Sequence, residues 1–179
     1  MTSAEDDTPL RAKTRRESLD PTLLALLDGS GVHHAPAQAM PLITTGREGA
    51  PHIALISAGE VLAVDERTLR LALWSTSTTA ANLSAQPRAT LSLVADGAFV
   101  GLHLDEVARG RGIVVGVQQL AVFHAHVESV TLDRVPYAHV TSGITFVTVD
   151  DSVPERWQST LDLLRAAEPQ ITDEGRPPG

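Results

Sequence analysis

The apolar positions change period several times along the chain. From Asp20 the spacing is helical. Asp20 suits an N-cap, and Pro21 suits the first helical position because its missing N–H would be unpaired there anyway. The apolar run TLLALL then stops at Gly29 and Gly31. From Ala39 the period drops to two. AMPLITTG predicts a strand, and PHIALISAGEVLAVD predicts one long bent strand or two short ones, with Gly59 at the bend. After a turn at DERT (Asp65 to Thr68), LRLALW puts Leu69, Leu71 and Leu73 on one face and Arg70, Ala72 and Trp74 on the other.

A helix is predicted from Thr78 to Gln86, ended by Pro87. RATLSLV and AFVGLHLDEVA follow as strands, joined by the hairpin signal Asp96-Gly97. RGRGIVVGVQQ is broken by glycines and reads as a loop or short helix. LAVFHAHVESVTL is the longest strand expected and GITFVTVD the last. In the C-terminal helix Ser152 and Glu155 match a capping box, and Val153, Trp157, Leu161 and Leu164 form an apolar stripe. The polar ends divide the chain into a disordered tail (residues 1–17), one domain (18–167) and a flexible tail (168–179). With about six or seven strands, mostly joined by short turns, the pattern is α+β and mainly β. Such an antiparallel sheet usually closes into a barrel to hide its edges.

Composition narrows the function classes. The chain has 179 residues and a formal net charge of −8, a field that repels phosphate backbones, so no nucleic-acid partner is expected. The basic cluster RAKTRR (Arg11 to Arg16) lies beside the acidic AEDD and reads as part of the solvated tail. Aromatic residues make up 3%, too few for base-stacking surfaces. There is no cysteine, which excludes disulfides, thiolate metal sites and cysteine nucleophiles. No run of about 18 apolar residues occurs, so no membrane partner is expected. The N-terminus has no apolar signal core, and a cytoplasmic protein is the expectation.

Candidate chemistry concentrates in one place. Ser75, Thr76, Ser77, Thr78 and Thr79 are five consecutive hydroxyl residues at a strand-to-helix junction. A ligand rich in acceptor oxygens would use such a run; capping the helix would need one or two of the five. His124 and His126 share a strand face with Glu128. Glu128 stands roughly 13 Å from His124, so a metal there needs a third ligand from His52, His103 or another subunit, and no metal site is expected. His33-His34 read as loop residues, with haem ligation as the functional alternative. Gly110 to Gly112 lack the dinucleotide spacing, and no nucleophile elbow is present.

The order of elements, carried by PHIALIS (Pro51 to Ser57), LRLALWSTSTTAANLSAQPRATLSLV (Leu69 to Val94) and the late pair VFHAHVESV and GITFVTVD, resembles the pyridoxamine 5′-phosphate oxidase-like family of FMN-binding split barrels. TAANL and QPRATL stand where that family reads like ARNL and NPRVAL. The resemblance covers roughly Asp20 to Arg165. It implies a six-stranded antiparallel split β-barrel with flanking helices, paired as a homodimer with FMN in the grooves between subunits. The flavin ring would lie on His52, Ile53, Ala54 and Leu55. The phosphate would meet Trp74, Ser75, Thr76, Ser77, Thr78 and Thr79, with Asn82 one turn on. A helix N-terminus, with its free N–H groups and partial positive charge, suits a phosphate. The implied activity is that of a flavin-dependent oxidoreductase or flavin reductase acting on a small molecule, with no catalytic residue assigned. The alternatives are a non-enzymatic binder of haem, deazaflavin or flavin, or a cofactor-free dimer. One departure stands out: family members often carry Arg or Lys just after the hydroxyls, whereas this chain has no basic residue between Arg70 and Arg88. A charge-assisted hydrogen bond contributes roughly 1.5–3 kcal/mol. Arg70, Arg88, or a partner's Arg109 or Arg111 are the candidate replacements.

Overall fold

The computed structural model describes residues 12–32, 38–150 and 152–168. In chain order the elements are β1 (Ala12–Arg16), α1 (Pro21–Leu27), β2 (Gln38–Thr45), β3 (Pro51–Ile56), β4 (Val61–Ala63), β5 (Thr68–Trp74), α2 (Thr78–Ala85), β6 (Ala89–Ala95), β7 (Ala98–Arg109), β8 (Ile113–Val115), β9 (Gln118–Arg134), β10 (Ile144–Thr145) and α3 (Ser152–Ala166).

Among the described residues, ten strands form one antiparallel sheet in the order β10-β2-β6-β7-β9-β5-β4, with β3 on β2 and β1 and β8 on β9. β9 is the spine. It pairs with β5 over Leu120–His126 and with β7 over Phe123–Asp133. The β6–β7 hairpin turns at Asp96 and Gly97, both at positive φ as the Asp-Gly signal requires. β7 bulges near Glu106, which also has positive φ, and the bend this adds helps the sheet curl. Among the described residues, β3 pairs with β2 alone and β4 with β5 alone, so the sheet stays open between them.

The alternation read from the sequence fills the interior. Leu69, Leu71 and Leu73 of β5 are buried with Leu91 and Leu93 of β6, Val100 and Leu102 of β7, and Phe123 of β9. Leu23 and Leu27 of α1 and Ala80 and Leu83 of α2 join the same core. Asp20 caps α1, accepting from Leu23 N at 2.9 Å. The outer face of β5 and β9 has its own cover: Leu161 and Leu164 of α3 pack on Leu62, Ala72 and Val122. Each of these leucines contributes about 2 kcal/mol of burial.

The fold class is as expected, and several details are corrected. Among the described residues the sheet has ten strands, in place of the expected six, because short edge pieces too brief to show a period add to the main ones. Ala12–Arg16, expected in a disordered tail, pairs with Val130–Arg134 because β9 runs past the end of β5 and leaves edge groups to satisfy. Ile113–Val115 form a strand that hairpins onto β9 through Gly116 at positive φ, in place of a loop or helix. GITFVTVD contributes only Ile144–Thr145, and these pair with β2, since both edges of β9 are already occupied. At α3 it is Asp150, rather than a Ser152–Glu155 box, that accepts from Ser152 N, at 2.7 Å. Residues 1–11, His33-His34 and 169–179 lie outside the described residues.

Candidate functional site

At the open side of the sheet lies a cleft of about 370 Å³. Its walls come from the end of β3 (Leu55), the end of β5 (Trp74), the start of β9 (Gln118) and the C-terminal segment (Phe146, Arg156, Trp157). Phe146 and Trp157 meet edge to face, with centroids 5.7 Å apart and planes at 88°. The turn joining β3 to β4 supplies the cleft's carboxyl, Glu60. Glu60 Oε2 accepts from Ser57 N at 2.7 Å and from Ser57 Oγ at 2.8 Å. Its backbone is held too: Glu60 N donates to Ser57 O, and Glu60 O accepts from Ala72 N. Gly59 at the tip leaves room for the indole, because a Cβ there would stand 2.1 Å from Trp157 Cγ. Burial pushes the Glu60 carboxyl above its ordinary pKa, against the Ser57 hydrogen bonds and the more distant Arg156 charge, which pull it down.

The hydroxyl junction stands beside this cleft. Trp74 is 52% exposed and opens the run. Ser75 N donates to Gln119 O at 3.1 Å, and Ser77 N to Trp74 O at 2.9 Å, closing a turn. Ser77 is the N-cap of α2, its Oγ accepting from Ala80 N at 3.1 Å. Thr76 and Thr78 are exposed and Ser75 half-buried, whereas Thr79 is buried. Asn82 is also buried, and its Nδ2 donates to Thr44 Oγ1 at 3.1 Å, tying α2 to β2. With Ser77 serving Ala80, the N–H groups of Thr78 and Thr79 keep no partner within the helix.

The eleven expected site residues thus fall into two groups. Leu55 and Trp74, from separate strands, line one cleft. His52 lies directly across the β2–β3 register from Thr44, the partner of Asn82, and so marks the α2 side. Ile53 is 63% exposed on the same face of β3 as Leu55, while Ala54 turns the other way with His52. Glu60, Arg156, Phe146 and Trp157 carry no site signal in the sequence reading. Glu60 sits in the small-residue break SAGE between two apolar strands, and a charged residue at such a break is the signal that could have found it.

Of the arginines nominated as counter-charges, Arg70 already has a task within the chain. Arg70 Nη1 donates to Leu164 O at 2.7 Å and Arg165 O at 2.9 Å, capping the end of α3. Arg109 lies 5.9 Å from the Phe123 ring and reaches Ser84 on α2 at 3.4 Å. Arg88 is exposed and lines a polar hollow with His103 and Glu128. The histidines of β9 are separated in role. His126 Nδ1 lies 2.9 Å from Asp105 Oδ1. His124 Nε2 is buried without a partner, and burial first, then the Arg70 charge, lowers its pKa. No group of three or more His, Asp or Glu placed to hold a metal occurs among the described residues. No helix is long and apolar enough to cross a membrane.

No family model matches the chain. It is 33% identical to the uncharacterized protein YclD of Bacillus subtilis over 144 residues, covering 80% of this chain and 93% of that one. Similar solved structures include a Lactobacillus delbrueckii protein described as a candidate pyridoxamine 5′-phosphate oxidase (TM-score 0.49, 13% identity, 66% of this chain and 97% of that one). Another is an FMN-binding protein of Syntrophomonas wolfei (TM-score 0.41, 16% identity, 59% and 84%). The described residues form a curled antiparallel sheet with an open side and flanking helices, and the chain belongs to the family of Bacillus subtilis YclD.

Proposed function

We propose that this protein binds FMN at the open side of its barrel and acts as a flavin-dependent oxidoreductase or flavin reductase on a small molecule. The observation that carries this reading is that Leu55 and Trp74, nominated from two separate segments, line one cleft. The fit to flavin is good in kind: the cleft offers apolar and aromatic walls to a flat ring, and a helix N-terminus with exposed hydroxyls follows Trp74 directly. Bound flavin would supply hydride and electron transfer. The chain's part is to bind and orient. Leu55 and Trp74 hold the ring, with Ile53 on the same face of β3 and the backbone of Ala54 between Ile53 and Leu55. Ser75, Thr76 and Thr78 donate hydroxyls to the phosphate, together with the N–H groups of Thr78 and Thr79. Ser77 fixes the helix start that aims those N–H groups. His52 stands at the phosphate end, and Thr79 and Asn82 support that end from beneath. Hydroxyl and N–H donors replace the missing basic residue, so the expected affinity is modest. A second copy of the chain, laid on the exposed Ile53 and Leu55, closes the groove as a homodimer.

An FMN titration of the purified protein tests this. Flavin binding should quench tryptophan emission through Trp74, and replacing Ser75, Thr76 and Thr78 by Ala should weaken it about tenfold or more. An unchanged emission and visible spectrum, or an affinity indifferent to the triple replacement, overturns the reading.

A further inference from the structure

One carboxyl in the cleft has no task in the flavin reading. Glu60 uses Oε2 to accept two hydrogen bonds from Ser57. No hydrogen bond to Oε1 is present among the described residues, and no Lys, Arg or His among them comes within salt-bridge distance of the carboxylate. Arg156 lines the same cleft and influences Glu60 only at longer range. The same cleft is lined by Trp74, Trp157 and Phe146, three of the chain's six aromatic side chains (three Phe, two Trp and one Tyr). A carboxylate held in a cleft with aromatic walls is the chemistry that recognises an organic cation: ring faces attract positive charge, and the carboxylate neutralises it. Ammonium carried on an apolar body also matches the apolar remainder of the cleft, which Leu55, Ile56 and Leu120 help to line.

We propose that Glu60, in a cleft lined by Trp74, Trp157 and Phe146, makes this end of the cleft a binding site for an organic ammonium group on a small apolar or aromatic body. The ring of such a ligand packs on the indoles, and its nitrogen faces Glu60. Arg156 opposes the cation and so sets an upper limit on affinity. The proposal shares the cleft with the flavin reading but does not require flavin to be bound.

Both tryptophans of the chain line this cleft, so intrinsic emission is a local reporter. Benzyltrimethylammonium, benzyl alcohol and benzoate are titrated separately into the FMN-free protein. Saturable binding of the ammonium compound, tighter than that of the alcohol and of benzoate, is expected. Glu60→Gln should weaken ammonium binding about tenfold and leave the alcohol unaffected. Arg156→Ala alters an exposed side chain and should tighten ammonium binding; it decides the matter even if Glu60→Gln folds poorly. Equal affinity for alcohol and ammonium, tighter binding of benzoate, or indifference to Arg156→Ala overturns the proposal. Ammonium binding in a protein that ignores FMN would defeat the flavin reading and leave this one standing.

Discussion

Two short segments on either side of one cleft make an instructive pair. The junction Ser75 to Thr79 announces itself in the sequence by five hydroxyls, yet part of it serves the fold: Ser77 caps α2, and Thr79 is buried against the core. The turn Ser57 to Glu60 is inconspicuous in sequence, yet it places a carboxyl in the cleft and makes room for Trp157 beside it. A dense polar run can be structural because helix starts need donors and acceptors locally. A lone charge beside glycine carries more information about a site, because burying a carboxylate is unfavourable without a partner.

The sharpest way to break the comparison is Gly59→Ala. The added Cβ would lie 2.1 Å from Trp157 Cγ and 2.3 Å from its Cβ, close to the helix backbone rather than to a flexible tip. The indole must therefore shift and lose its edge contact with Phe146. The expected loss is about 3 kcal/mol, with a change in tryptophan emission that accompanies it. Thermal melts and emission spectra check both. A melt unchanged by this substitution would mean that the turn does not constrain the cleft wall.

Asn82→Ala probes the other side. It removes the donor to Thr44 Oγ1 and leaves a buried hydroxyl without its partner. About 1.5 kcal/mol should be lost, read as a lower urea midpoint at constant m. If instead stability holds and FMN affinity alone falls, Asn82 belongs to the ligand rather than to the fold.

The barrel was legible because its signals are local. Alternation in β5, β6 and β7, the Asp-Gly hairpin and the Asp20 cap each report a nearby constraint. The pairing of β1 and β10 was not legible, because short strands take their partners from edges left vacant elsewhere. At the site, Leu55 and Trp74 could be nominated because they sit in segments with a recognisable order. Arg156 and Trp157 could not, since Trp157 reads as a member of an apolar stripe on α3 and nothing in the local pattern marks Arg156. Only the packing of α3 across the sheet brings them to Glu60.

Glu60→Gln gives the smallest effect on stability and sharpens the comparison through its pH dependence. Burial raises the folded-state pKa of Glu60 above its unfolded value. Between those two values the folded protein binds more protons than the unfolded chain, so stability is highest below the ordinary carboxyl range and falls as pH rises through the folded pKa. Glutamine keeps an acceptor for Ser57 and has no charge to desolvate. The variant should therefore match the wild type in acid and become the more stable of the two towards neutral pH, measured as urea midpoints across the range. A protein that keeps a carboxylate where glutamine would be more stable keeps it for a ligand, which is the distinction between this turn and the hydroxyl junction. Parallel pH profiles for the two proteins would instead make Glu60 an ordinary turn residue, held by Ser57 and nothing more.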